Sequence, residues 1–279
     1  MKIRIATYNI HKGLHRSVFA WRELIQHGFK KQVQVHSLGD ALMPLNLDLL
    51  CLQEVQGRHD RHALRYPDWP PMGQHDVLAN TLGLRAVYGK NADYMHGDHG
   101  NALLTHLPIN HLVNHRLSDH ALEQRGMLHC EMVVGEQKLH CFVAHLGLFA
   151  VSRRRQVQAL IAEVLRSVPP AAPLIIAGDF NDWRNHLSHE LHEALGVVDV
   201  YDAGTRKPWD GVEQQVRNQL NLPPLRRVAR TFPSVLPWLR LDRIYQRGFK
   251  VHNVAVLAGP QWARLSDHAP LLAELELLG

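Results

Sequence analysis

Apolar positions in this chain fall mostly in short runs separated by polar, Gly- and Pro-containing breaks, which predicts many strands and a few helices. Lys2–Ile10 alternates through Ile3 and Ile5 and reads as a strand leading to Asn9. Ser37–Leu47 has helical spacing at Leu38, Leu42 and Leu45, and Asp48–Val55 is an apolar strand ending in Glu54. A helix is expected at Gln74–Leu82, a strand at Arg85–Tyr88, and a buried strand at Gly100–Leu107 with Asn101 at its start and Pro108 beyond its end. Ile109–Leu117, Gly126–Val134 and Gln137–His145 form a hairpin-like series, with Gly135 and Glu136 as the tight turn between the last two. Arg125 stands just before the second of these, and His145 ends the third.

Ser152 is placed as the N-cap of a helix reaching Ser167, with Val157, Leu160, Ile161, Val164 and Leu165 on one face. Arg153, Arg154 and Arg155 in its first turn oppose the helix dipole and read as a solvated face. The apolar run Leu174–Ala177 reads as a central strand, after which Gly178 lets the backbone turn and Asp179 and Asn181 stand at the strand's end. A helix at His186–Leu195, an apolar Val197–Val200 and a polar excursion over Asp202–Arg230 follow. Leu241–Tyr245 carries Asp242, Phe249–Leu257 is a further strand, and Leu265–Leu272 presents Asp267 and His268 just before the last strand. Antiparallel runs in the middle and helix-linked strands elsewhere predict an α/β (α+β) fold with mixed sheets.

At 279 residues the chain can bury one large core, and positions 1–279 are read as a single domain. It has no apolar run of about eighteen residues, so no transmembrane segment is expected. Its N-terminus opens directly on a strand pattern, which reads as unsecreted. Cys51, Cys130 and Cys141 sit in apolar runs at spacings that fit neither a disulfide framework nor a zinc motif, so a reducing cytoplasm is the expected home. A formal charge of +5, with 21 histidines neutral, favours anionic partners. Nucleic acid, phospholipid headgroups at a membrane surface and phosphorylated metabolites all qualify. The basic stretch Lys12–Lys31, with Phe19, Trp21 and Phe29, leaves the strand end that bears Asn9 and reads either as a substrate-reading overhang or as a solvated excursion.

The chemistry lies in the polar residues at strand ends: Asn9, Glu54, His145, Asp179, Asn181, Asp242, Asp267 and His268. Asp and Asn are favoured turn residues, so any one of them also fits an ordinary strand exit. Together they supply carboxylates for a hard cation, two histidines and amides for an anionic oxygen, without a serine or cysteine nucleophile on a Gly-rich elbow. Metal-assisted attack by water is the chemistry this inventory supports.

TYNIHKG around Asn9, LQEV around Glu54, GNALLT at Asn101, the strand-ending His145, GDFN at Asp179–Asn181, LDRIY at Asp242 and SDHAP at Asp267–His268 resemble the ordered motifs of the endonuclease/exonuclease/phosphatase superfamily, in the right order over almost the whole chain. The resemblance implies a four-layered sandwich of two face-to-face mixed sheets flanked by helices, with the active site at one rim. It implies magnesium, with manganese as a substitute, held by Glu54 with Asn9 and Asp267 close to the ion. It further implies that Asp179 polarises the attacking water and that Asn181 holds a nonbridging phosphate oxygen. His268 would face the phosphate, oriented by Asp242, and His145 would donate a second hydrogen bond or assist the leaving group. Asn101 and Arg125 are the implied phosphate contacts. In secreted deoxyribonucleases of the superfamily the counterpart of His145 has a glutamate partner; here Asp98 and His99 lie nearby instead.

The expected activity is therefore a magnesium-dependent phosphodiesterase, monomeric, acting on an anionic phosphate ester of the phospholipid, phosphoinositide or nucleic-acid class. A DNA/RNA endo- or exonuclease is the alternative. A non-catalytic nucleic-acid-binding protein on the same fold is the second. Peripheral membrane contact is compatible with the phospholipid reading.

Overall fold

The computed structural model describes residues 1–15, 32–118, 123–203 and 229–279. The aromatic and most of the basic residues of the Lys12–Lys31 stretch, together with Arg226 and Arg227, lie outside the described residues.

In chain order the strands are β1 (Lys2–Asn9), β2 (Leu14–His15), β3 (Gln32–Val33), β4 (Leu49–His59), β5 (Arg85–Tyr94), β6 (Gly97–Thr105), β7 (Ile109–Arg116), β8 (Gly126–Val134), β9 (Gln137–His145), β10 (Leu174–Asp179), β11 (Val198–Asp199), β12 (Asp242–Arg247), β13 (Phe249–Val256) and β14 (Leu271–Leu277). The helices are α1 (Val35–Leu42), α2 (Asp60–Arg65), α3 (Gln74–Leu82), α4 (Ala150–Ser167), α5 (Leu187–Leu195), α6 (Val200–Ala203) and α7 (Pro260–Ala263). One six-stranded sheet runs β13-β14-β1-β4-β6-β5 and the other β11-β12-β10-β9-β8-β7. Both are mixed, as expected: β1 pairs parallel with β4 and antiparallel with β14, and β10 pairs parallel with β9 and antiparallel with β12.

Strand alternation builds the layers. Ile3, Ile5, Leu49, Cys51 and Leu103 of the first sheet meet Leu128, Cys130, Cys141, Val143, Ile175 and Ala177 of the second in one buried cluster. The intervening residues face outward: Ala6, Tyr8, Leu50, Leu52 and Leu104 under α1 and α3, and Met127, Phe142, Leu174 and Ile176 under α4 and α5. All three cysteines are buried free thiols, and Cys51 and Cys141 approach to 3.9 Å across the seam. The fold is thus the four-layered sandwich, helix–sheet–sheet–helix. No helix among the described residues is long and apolar enough to cross a membrane.

Several boundaries move. The helix expected over Ser37–Leu47 is α1 at Val35–Leu42, followed by a 3-10 turn at Met43–Leu45 where Pro44 sits in the first turn. The strands expected to end at Val55 and Tyr88 continue to His59 and Tyr94, because they extend beside β6 past its apolar portion. Ser152 is not the N-cap of α4. Phe149 takes that place, its carbonyl accepting from the Arg153 N–H at 2.9 Å, and the Ser152 hydroxyl instead accepts from Gln156. Arg153 is buried rather than solvated: its guanidinium donates to the carbonyls of Gly147 and Leu148, fastening the turn that follows β9 to the start of α4, whereas Arg154 and Arg155 are exposed.

Candidate active site

Pairing register places three polar side chains side by side. On the central strand β10, Asp179 lies opposite His145 of β9 on one side and Asp242 of β12 on the other, at the ends where β9 and β10 finish and β12 begins. Gly178 makes this approach possible. Its φ is +149°, and a Cβ there would stand 1.8 Å from the Ala144 carbonyl oxygen.

The first sheet delivers its residues to the same rim. Asn9 ends β1, and its Nδ2 donates to Asp179 Oδ2 at 3.1 Å across the seam, while its Oδ1 accepts from the His11 N–H at 3.0 Å. His268 Nδ1 meets Asp242 Oδ2 at 2.8 Å, and its Nε2 points toward Asp179 Oδ2 at 3.7 Å. His145 Nε2 reaches the same oxygen at 3.6 Å. Asp179 Oδ2 is thus surrounded by an amide and two imidazoles, while Oδ1 accepts from the Asn181 N–H at 3.0 Å. Asn181 adopts φ +49° and donates one amide hydrogen to the Leu146 carbonyl at 2.9 Å. A non-glycine residue held in left-handed backbone at a rim is the sort of local strain that functional sites retain.

Electrostatics separates the roles. Burial pushes the Asp179 carboxyl up to about 6, against the pull of His268. Burial opposes a charge on His268 as well, yet Asp242, Asp179 and Asp267 outweigh it and raise the imidazole to about 10, so His268 is an imidazolium at neutral pH. Burial, helped by the field of Arg125 and His99, holds His145 well below its ordinary value, so it stays neutral. One buried imidazolium and one buried neutral imidazole flank a carboxylate whose proton affinity is near working pH.

Glu54 occupies a break in the β4–β6 register between Leu52 and Val55, with φ +55° and a half-buried side chain. Its charge is felt by Tyr94 and His99. Asp267 Oδ2 lies 3.1 Å from His11 Nδ1. Glu54, Asp267 and the Asn9 amide are oxygen donors of the kind a hard divalent cation takes, and Asp242 Oδ1 is a buried carboxylate oxygen with no hydrogen-bond partner, so the rim is rich in anionic oxygen. Asp179, Asp242 and His268 also lie close enough together to hold a metal ion.

Asn9, His145, Asp179, Asn181, Asp242 and His268 therefore meet directly, and Asp267 joins them through its chain neighbours. Arg125 and Glu54 stand at the His99–Tyr94 side, where Arg125 pairs with Glu123 at 2.9 Å and leaves its Nε buried without a hydrogen-bond partner. Asn101 is fully buried and its Nδ2 ties the carbonyls of Gly126 and Val143, which joins the two sheets behind the rim. Asp98 bonds Tyr88 and His99 meets Tyr94, so neither partners His145.

Four further residues support the cluster. Ser266 Oγ donates to the Asn9 carbonyl at 2.7 Å and accepts from the His268 N–H, and Thr231 Oγ1 accepts from the Asp242 N–H. Phe232 lays its ring 4.9 Å from that of His268. His11 touches both Asn9 and Asp267. Ser266 and His11 lie inside the SDHAP and TYNIHKG motifs; Thr231 and Phe232, remote in sequence, carry no comparable signal.

The profile of the Endonuclease/Exonuclease/phosphatase family matches residues 6–268. A curated protein of Escherichia coli (strain K12), "Uncharacterized protein YbhP", is 35% identical over 276 residues, covering 98% of this chain and 96% of that one. Among solved structures, the mannosyl-6-phosphatase Bt3783 of Bacteroides thetaiotaomicron VPI-5482 superposes with a TM-score of 0.68 at 17% identity, covering 99% of this chain and 100% of the other. D. rerio TDP2 complexed with single strand DNA product gives 0.63 at 15% identity, covering 99% of each. Sequence, strand-end cluster and sandwich agree: the chain belongs to the endonuclease/exonuclease/phosphatase family of phosphoester hydrolases.

Proposed function

We propose that the protein is a magnesium-dependent phosphodiesterase, working as a single domain in a reducing cytoplasm. The observation that carries this reading is the convergence of Asn9, His145 and His268 on one oxygen of Asp179. Glu54, Asp267 and Asn9 are the residues that would hold magnesium, or manganese in its place, and such an ion would supply positive charge to offset the negative charge building on the phosphoryl oxygens.

Asp179, with a proton affinity near neutrality, accepts the proton of the attacking water as its oxygen closes on phosphorus, while the opposite ester P–O bond breaks and the departing alkoxide takes up a proton from solvent. Asn9 and the Asn181 N–H fix the carboxylate for that transfer. His268, charged and oriented by Asp242, offers an N–H to a nonbridging oxygen where negative charge accumulates. His145 supplies a second donor as a neutral imidazole, and the free amide hydrogen of Asn181 a third.

The loops that leave this rim expose Leu148, Phe149, Trp183, Leu236 and Trp238, each more than half accessible. These side chains favour a diester whose remainder is apolar, as in a phospholipid presented at a membrane surface. Stacking of bases on Trp183 and Trp238 is the nuclease alternative. Arg125 remains a candidate for phosphate contact, whereas Asn101, whose amide hydrogens go to the carbonyls of Gly126 and Val143, does not. A panel of phospholipid vesicles, single- and double-stranded DNA, RNA and a soluble bis-aryl phosphodiester, each with and without magnesium, tests the reading. Turnover of the aryl diester that survives Asp179→Ala, or that ignores magnesium, overturns it.

A further inference from the structure

The second sheet carries a titratable cluster that shares no residue with the rim. β7 is its edge strand, and β8 beside it turns Met127 and His129 to the outer face. Helix α4 covers that face with Val157, Leu160 and Val164, and at the edge of this apolar cover Glu163 meets the histidines of β7 and β8. His115, His129 and Glu163, from three different elements, each offer a ligand atom, and these atoms lie within 4.8 Å of one another.

We propose that His115, His129 and Glu163 form a binding site for a transition-metal ion of the zinc class. His115 Nε2 is buried, has no hydrogen-bond partner, and lies 3.6 Å from Glu163 Oε1. A desolvated ring nitrogen beside a carboxylate is costly unless something joins them, and a cation does so. His129 is fixed as well: its Nε2 lies 3.0 Å from His140 Nδ1 and its ring stacks on Phe142. Burial holds His129 down to about 4, so at neutral pH the ring is uncharged and carries one proton and one lone pair. With Nε2–H donated to His140 Nδ1, Nδ1 keeps the lone pair that a cation takes. Two imidazoles and one carboxylate suit zinc and its neighbours, whereas magnesium prefers oxygen donors and water. Arg166 now holds both Glu163 oxygens, at 2.6 and 3.0 Å, from a guanidinium that is 69% exposed, so an arriving cation has to displace that exposed arm from a carboxylate that is only 14% exposed. The ion would fasten the edge strand β7 and its neighbour β8 to α4.

Zinc uptake is measured by equilibrium dialysis in excess magnesium, and the zinc assigned to this site is the part that the variants lose while the wild type keeps it. The wild-type chain is expected to retain one zinc and to melt at a higher temperature with it. His115→Ala and Glu163→Gln, both at partly exposed side chains, are each expected to weaken zinc at least about tenfold and to abolish the thermal gain. Magnesium-dependent phosphodiester turnover serves as the folding control and should be unchanged in both. No zinc retained by the wild type, or equal retention by the wild type and both variants, overturns the proposal.

Discussion

His268 Nδ1 lies 2.8 Å from Asp242 Oδ2 with both side chains buried, so a carboxylate on β12 sets the orientation and charge of an imidazole that precedes β14. Asp242→Asn keeps the shape and removes the charge. Turnover of a bis-aryl phosphodiester is expected to fall about 10²–10⁴-fold in kcat with little change in KM, as read by steady-state kinetics.

The same ion pair should be visible in stability. His268 rises from an ordinary 6.5 to about 10 in the folded chain, so its contribution is fully present below pH 6.5 and is lost as pH rises through about 10. In metal-free protein, the unfolding free energy of the wild type should exceed that of His268→Gln by about 3–5 kcal/mol at neutral pH, and the gap should close on the alkaline side. Urea titrations of both proteins across that range measure it.

Glu54 holds its place through a left-handed backbone at an irregularity of β4. Glu54→Gln is expected to raise the magnesium concentration for half-maximal rate by about 10–100-fold without altering the far-ultraviolet circular dichroism. Chelation should silence the wild type, and either magnesium or manganese should restore it.

Gly178→Ala introduces a methyl group where the Ala144 carbonyl oxygen stands 1.8 Å away. Either β9 or β10 must shift, and a loss of about 3 kcal/mol is expected in urea unfolding. Activity should fall along with it, because Asp179 and His145 are the next residues on those strands.

Much of the architecture was legible because alternation and punctuation are local. Lys2–Ile10, Gln137–His145 and Leu174–Ala177 carry their strand signal within themselves, and the turn at Gly135 is closed by its neighbours, with φ +63°. Boundaries that depend on a distant partner were not legible. Phe149 displaces Ser152 as the cap of α4 because the preceding turn is tied down by Arg153, a residue whose surroundings come from packing. The strand-end polar set was readable as a set, since each member borders an apolar run. Its mutual geometry was not, for Thr231 and Phe232 reach Asp242 and His268 only through tertiary contact. Asn101 shows the converse: a motif position at a strand start, whose amide is occupied in joining Gly126 to Val143.

Asn9 and Asp179 come from different sheets, and the hydrogen bond between them crosses the line along which Cys51 faces Cys141. The reaction centre therefore has no half that works by itself. A slide of one leaf of the sandwich over the other by a fraction of an ångström would leave every strand intact and still part the Asn9 amide from the Asp179 carboxylate. Turnover becomes the most sensitive gauge of how the two leaves are seated, and repacking deep in the interior should register there before it registers in melting.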